Sequence, residues 1–181
     1  MIIFVGGMTP HLRNWLYQTC QFLLTQSGLP PEGKVCTSAN DLDNYLALRA
    51  DSSTSTLINY RQWGNLSQQS LTQRPNRHLF LYHDPLTLTA WELSSGKTAF
   101  SHILLELWLT QGQTAWLHQE QTYLLNLSQL LARPKPTLRK IAAFLEITPT
   151  ETTLKDLLLQ CPLPTPDIAE VSKGFSSLLP A

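Results

Sequence analysis

Gly6 and Gly7 stand directly behind an apolar run, with His11 and Arg13 a few residues further on. Paired glycines let a backbone turn sharply or approach something closely. A helix that opens just after them leaves unpaired N–H groups, a ready site for an anion such as phosphate. An imidazole and a guanidinium near that turn would face the same anion. His83 is a further candidate, because it lies at the carboxyl end of a second apolar stretch, where open α/β sheets bind ligands. A rival signal is Gly96-Lys97-Thr98, which imitates the end of the pattern G-x-x-x-x-G-K-[ST]. The first glycine of that pattern would fall on Trp91, and a helix C-cap followed by a new helix start explains the three residues more simply. The Gly6–Arg13 stretch has neither the second glycine nor the lysine of that pattern. His102 and Glu106 share a helix face at i, i+4 but have no third metal ligand. His118 and Glu120 carry no further signature, and no G-x-S-x-G supplies a hydrolase nucleophile.

The elements that must position these residues follow from periodicity. Met1 to Val5 is apolar and rich in β-branched side chains, as in a strand buried on both faces of a parallel sheet. Leu12, Trp15, Leu16, Thr19, Phe22 and Leu23 then recur at helical spacing, so the chain opens as strand, glycine turn, helix. Gly28 is a natural residue to end that helix near Ser27, and Pro30-Pro31 cannot extend it. Gly33 to Asn40 reads as loop, and Asp41 starts a short helix with Leu42, Tyr45, Leu46 and Arg49, capped by Ser38 or Asn40. Asp51 to Thr56 is a polar linker, Thr56–Tyr60 a second strand, and Gln62 to Arg77 a turn-rich excursion. His78–Tyr82 is apolar enough for a central strand, stopped by Asp84-Pro85. Residues 86–93 alternate like a strand, yet Asp84 and Pro85 suit a helix start, and helix is the reading adopted. Ala99 to Gln111 forms a long helix, and Tyr123 to Leu127 another buried strand. Ser128 caps a short turn through Leu131. Pro134, Pro136 and Thr137 introduce a helix over Leu138–Glu146, with Leu138, Ile141, Ala142 and Leu145 on one face. Thr150 opens a last helix, Glu151 to Gln160. The proline-rich residues 162–181 read as a C-terminal strap over a domain formed by residues 1–161. Strands alternating with helices predict an α/β fold, a mostly parallel central sheet flanked by helices in a single compact domain.

Composition narrows the functional classes. The chain has 181 residues, enough for one domain with a real core. Thirteen basic and thirteen acidic residues cancel, so no global field favours nucleic acid or an anionic membrane. Charged residues make up 14%, against about 25% in ordinary domains, and Gln, Thr, Ser and Asn serve the surface instead. Cys20, Cys36 and Cys161 are few, odd in number and not in C-x-x-C spacing, so buried thiols are expected rather than disulfides or zinc. The opening apolar run is too short for a signal peptide, and no run reaches the roughly 20 apolar residues of a membrane span. A cytoplasmic protein is expected. The tryptophans 15, 91, 108 and 116 suit core positions better than a ligand platform.

Three of these stretches together resemble the sulfotransferase family, which uses phosphoadenosine phosphosulfate (PAPS) on a P-loop-type α/β fold. Gly7-Met8-Thr9-Pro10-His11-Leu12-Arg13-Asn14-Trp15-Leu16 is similar to the family's phosphosulfate loop, G-M-P-R-S-G-T-T-W-L. Leu79 to Trp91 resembles Y-x-R-D-P-x-D-x-x-x-S. Leu125 to Ile147, LNLSQLLARPKPTLRKIAAFLEI, is similar to Y-E-D-L-x-x-x-P-x-x-x-L-x-x-I-x-x-F-L-x-I, a scaffold stretch. The resemblance implies a P-loop NTPase / sulfotransferase-like fold. It places a PAPS or adenosine bisphosphate site at Gly6, Gly7, Met8, Thr9, His11 and Arg13. His83 lies alongside, and Lys173 with Gly174 matches the basic-glycine segment that closes over the cofactor.

The departures from the family pattern fall where its chemistry lies. Pro10 stands at the basic position of the loop and removes an N–H donor, and Leu12 replaces the glycine. His83 and Trp91 stand for the arginine and serine that hold the 3′ phosphate. Asn59-Tyr60-Arg61 stands for the K-x-H strand end that supplies the general base. Sulfuryl transfer, like phosphoryl transfer, depends on positioning and charge stabilisation. The reading is therefore a degenerate member, a pseudoenzyme used for binding or assembly, with a protein partner or a small acceptor molecule. Two enzyme readings stand beside it: sulfuryl transfer by a rearranged site using His11, Arg13 and His83, and a small P-loop-like nucleotide enzyme using Gly96-Lys97-Thr98.

Overall fold

β1, Ile2–Gly7, is buried along its whole length because it has a parallel neighbour on each side. The computed structural model describes residues 1–7, 10–48, 54–60, 76–82 and 121–164. After β1 come α1 (Pro10–Gln26), β2 (Glu32–Cys36), α2 (Ala39–Leu48), β3 (Thr56–Tyr60) and β4 (Asn76–Tyr82). β5 (Thr122–Asn126), α3 (Leu127–Ala132), α4 (Pro134–Phe144) and α5 (Glu151–Gln160) complete the described elements. The five strands lie in the order β2-β3-β1-β4-β5, and every described pairing is parallel. The fold is the expected one: a parallel central sheet with flanking helices.

Strand periodicity divides the core into two layers. Ile3, Val5, Leu57, Leu79, Leu81 and Leu125 point to one face, where Leu12, Leu16, Leu23, Leu138, Ile141 and Leu154 of the helices cover them. Ile2, Phe4, Ile58 and Phe80 point to the other, against Leu42 with Tyr45 and Leu46 of α2. Trp15 donates its indole N–H to the Cys161 carbonyl oxygen at 3.3 Å, tying the first helix to the end of the last. All three cysteines are buried free thiols, as expected. Burial raises Cys20, and it pushes Cys36 up to about 11, with Asp41 adding to the shift.

Several local expectations need correction. Gly33 to Asn40 is not all loop, because Glu32–Cys36 forms the edge strand β2. Its Val35 is exposed and its Gly33 packs under the Tyr17 hydroxyl, where a Cβ would collide, so no apolar run marks the strand. Gly6 and Gly7 are the last residues of β1 rather than a turn, paired with Phe80 and Leu81. α1 starts at Pro10, earlier than its first periodic leucine, because the ring's fixed φ suits the first helical position. For the same reason α4 starts at Pro134, and its two prolines lie inside the first turn. β4 begins at Asn76, β5 ends at Asn126, and Asn126, not Ser128, caps α3 by accepting from the Gln129 N–H. Ser38 and Thr150 cap α2 and α5 as expected, each accepting a backbone N–H three residues on. The expected helices at 86–93 and 99–111, most of the 62–77 excursion and the strap beyond residue 164 lie outside the described residues.

α1 and α4 end in the same way. In each, a residue in the left-handed region reverses the chain while the next residue's N–H reaches back to the last turn. In α1 that residue is Gly28, φ 77°, and Leu29 donates to Leu24. In α4 it is Glu146, φ 62°, and Ile147 donates to Ala142.

Candidate functional site at the carboxyl end of the central strands

The chain leaves β1 toward β2 on one side of the sheet and leaves β4 toward β5 on the other. Between the carboxyl ends of β1 and β4 the connections diverge, which is where open α/β sheets bind ligands. Gly7 and Leu81 face each other across that end. His83 follows β4 by one residue and lies, with Met8, Thr9 and Lys173, outside the described residues.

Only residues 8 and 9 separate β1 from α1. A Cβ on Gly7 would stand 2.7 Å from the Arg13 backbone nitrogen and 3.0 Å from its Cα. Backbone cannot yield to such a contact, so this glycine is required by the strand and the helix pressing on each other. That is a packing use of glycine, one of the three that phosphate-binding turns employ. The chain is helical from Pro10 onward. The N–H groups beyond the first turn therefore bond within α1 and do not converge on a ligand. Pro10, at the first helical position, contributes no N–H.

His11 is exposed in the first turn of α1, whereas Arg13 is only 7% exposed and lies against the sheet. The structure thus brings Gly6, Gly7, His11 and Arg13 to one junction, with the imidazole outside and the guanidinium inside. The solvated arginine of an ordinary first helical turn is not what is found. Beside them, Asn59 near the end of β3 donates its amide to the Asn14 side-chain oxygen at 3.0 Å. Asn59 is 4% exposed, and its own side-chain oxygen accepts no hydrogen bond from the described residues. This Asn59–Asn14 link was missed in the sequence. Its one signal is an asparagine inside the apolar run Leu57-Ile58-Asn59-Tyr60.

His78 lies lower in the same sheet, wholly buried and stacked on Phe4 with ring centroids 5.1 Å apart. Burial lowers its pKa to about 4, so it is a neutral core residue at pH 7. Among the described residues no group of three or more His, Cys, Asp or Glu could hold a metal ion. No helix among them is long and apolar enough to cross a membrane. Gly96-Lys97-Thr98, Trp91, His102, Glu106, His118 and Glu120 lie outside the described residues.

A β-strand feeding an α-helix at the middle of a parallel 2-3-1-4-5 sheet makes this an open α/β fold. Within that class, the fold is sulfotransferase-like. Mouse sulfotransferase SULT7A1 complexed with PAP superposes with a TM-score of 0.60 at 9% identity over 88% of this chain. Retinol dehydratase, with androsterone and inactive cofactor PAP, gives 0.59 at 10% identity over 88% of the chain, and its complex with retinol and PAP gives 0.52 at 12%. The chain spans 63% and 64% of the length of these two proteins. At the level of sequence, no family model and no curated protein matches the chain.

Proposed function

We propose that the chain is a non-catalytic sulfotransferase-like module that binds or assembles and does not transfer a sulfuryl group. In this reading a nucleotide-type anion is held weakly at Gly6, Gly7, Met8, Thr9, His11 and Arg13. His83 sits alongside, and Lys173 lies in a C-terminal strap formed by residues 162–181. The observation that supports it best is the contact of Gly7 with the Arg13 backbone, two residues of chain after β1. Removing one donor that stabilises developing charge lowers a rate by about 10²–10³. This chain lacks the loop cation and the strand-end base together, so transfer at the family's ordinary rate is not expected. His11, exposed at the start of α1, still adds charge to the helix's positive end once protonated.

The test is to incubate the protein with PAPS and a panel of phenols, alcohols and amines, following adenosine bisphosphate release. The expected result is release no faster than the blank without protein. Turnover that falls on His11→Ala or His83→Ala would instead establish a rearranged active site.

A further inference from the structure

From Leu127 to Leu145 the chain contains no acidic residue, yet Arg133, Lys135, Arg139 and Lys140 fall within eight residues. The whole protein is neutral, so this excess is local. The structure places all four at the start and on the outward side of α4, whose other side buries Thr137, Leu138, Ile141 and Ala142. Cations at the amino end of a helix oppose its dipole. No carboxylate occupies the first turn to offset them, and Arg133, the N-cap residue, makes no side-chain capping bond. Among the described residues one carboxylate answers the cluster. Glu151, at the start of α5, bridges Lys135 at 3.4 Å and Arg139. Arg133 and Lys140 are exposed and form no ion pair among the described residues.

We propose that this face of α4 is a docking surface for an acidic polypeptide segment of a partner protein. Glu151 already shows the contact: a carboxylate seated between cations four residues apart on one helix. Arg133 and Lys140, seven residues apart, form a second row of cations beside that pair, about a third of a turn round α4, so the basic face is two rows wide. A membrane surface fits less well. The described residues with large exposed apolar side chains are Leu29, Val35, Leu48, Leu124 and Leu159, so none of the described residues of α4 offers an apolar anchor beside the cations. Single-stranded nucleic acid fits less well too, because that list contains no aromatic side chain on which a base could stack. The surface uses other residues than the β1–α1 junction, so its test and the PAPS test can fail separately.

The experiment is fluorescence anisotropy on the full chain with a labelled twelve-residue Glu/Asp peptide at low salt. Phosphatidylserine vesicles and a single-stranded oligonucleotide serve as competing probes. The Arg133→Glu/Lys140→Glu double variant, both residues being exposed and outside the core, should weaken peptide binding roughly tenfold or more. Lys34→Gln, which removes a cation from a different element, should leave binding unchanged. Affinity should also fall as salt rises through about 0.15 M. Equal binding by the double variant and the parent, tighter binding to vesicles or to the oligonucleotide, or no peptide binding at low salt would each overturn the assignment.

Discussion

The two ends of the parallel sheet are built in opposite ways. At the amino end, polar groups are used up internally. Glu32, Thr56 and His78 donate their N–H groups to Ser55, Met1 and Gln121, stitching each strand's start to its neighbour. Arg77 reaches from β4 to the Phe144 carbonyl and to Glu146, and its guanidinium lies 5.7 Å from the Phe144 ring centroid. At the carboxyl end, side chains are withdrawn. Gly6 and Gly7 present bare backbone, Arg13 is drawn inward, and Asn59 keeps a buried oxygen without a hydrogen bond from the described residues. The braced end spends its polar groups on holding strands and helix together, and the bare end is where open α/β sheets meet ligands. At the bare end the strand and its helix press on each other, with Gly7 against the Arg13 backbone.

The largest effect should come from breaking that contact. Gly7→Val places a side chain against unyielding backbone, and urea denaturation should show a loss of roughly 3 kcal/mol or more, at the top of the overpacking range. A loss under about 1 kcal/mol would mean that strand and helix are not in contact there.

Acid comes next. His78 is depressed from 6.5 to about 4 by burial, so the unfolded chain binds the extra proton between those values. Stability is therefore full above pH 6.5 and falls as pH drops toward 4, by about 3 kcal/mol in all. Denaturation midpoints measured across that window should decline. If His78→Phe leaves the decline unchanged, other groups cause it.

At the braced end, Arg77→Ala should cost about 1–2 kcal/mol, mostly through the lost bond to the Phe144 carbonyl, since Glu146 is largely exposed and its ion pair is worth little. Glu146→Ala should then cost much less than Arg77→Ala, and equal losses would place the energy in the ion pair.

The smallest effect separates the two matching helix ends. Gly28→Ala puts a Cβ at φ 77° and should cost about 1 kcal/mol. Glu146→Gly relieves the same strain at φ 62° while losing Arg77, so its net change should stay within about 0.5 kcal/mol of zero. Both are read from thermal midpoints.

How much of this was legible in the sequence depends on whether one segment carried the signal. β1 and the apolar core of β4 announce themselves as apolar runs, because a central parallel strand is buried on both faces. The α4 face and the Thr150 cap follow from period and cap chemistry. β2 was hidden because an edge strand needs only one buried residue, Cys36, and its Gly33 answers to Tyr17 sixteen positions earlier. The glycine pair was visible, but its reason was not. Gly7 looks like a ligand-facing turn in one dimension, and only the approach of Arg13 in three dimensions gives it a packing role. The Asn59–Asn14 link spans 45 positions and has no local pattern at all.

The most direct test of the closed junction is a thermal-shift titration with adenosine 3′,5′-bisphosphate. For a domain of this size each kcal/mol raises the midpoint by about 2–4 °C, so a micromolar site saturated at about 1 mM ligand would add roughly 10 °C. The expected result is a rise below about 2 °C at that concentration, reduced further by His11→Ala. A saturating rise near 10 °C, indifferent to His11, would contradict a closed junction and point to an intact nucleotide site.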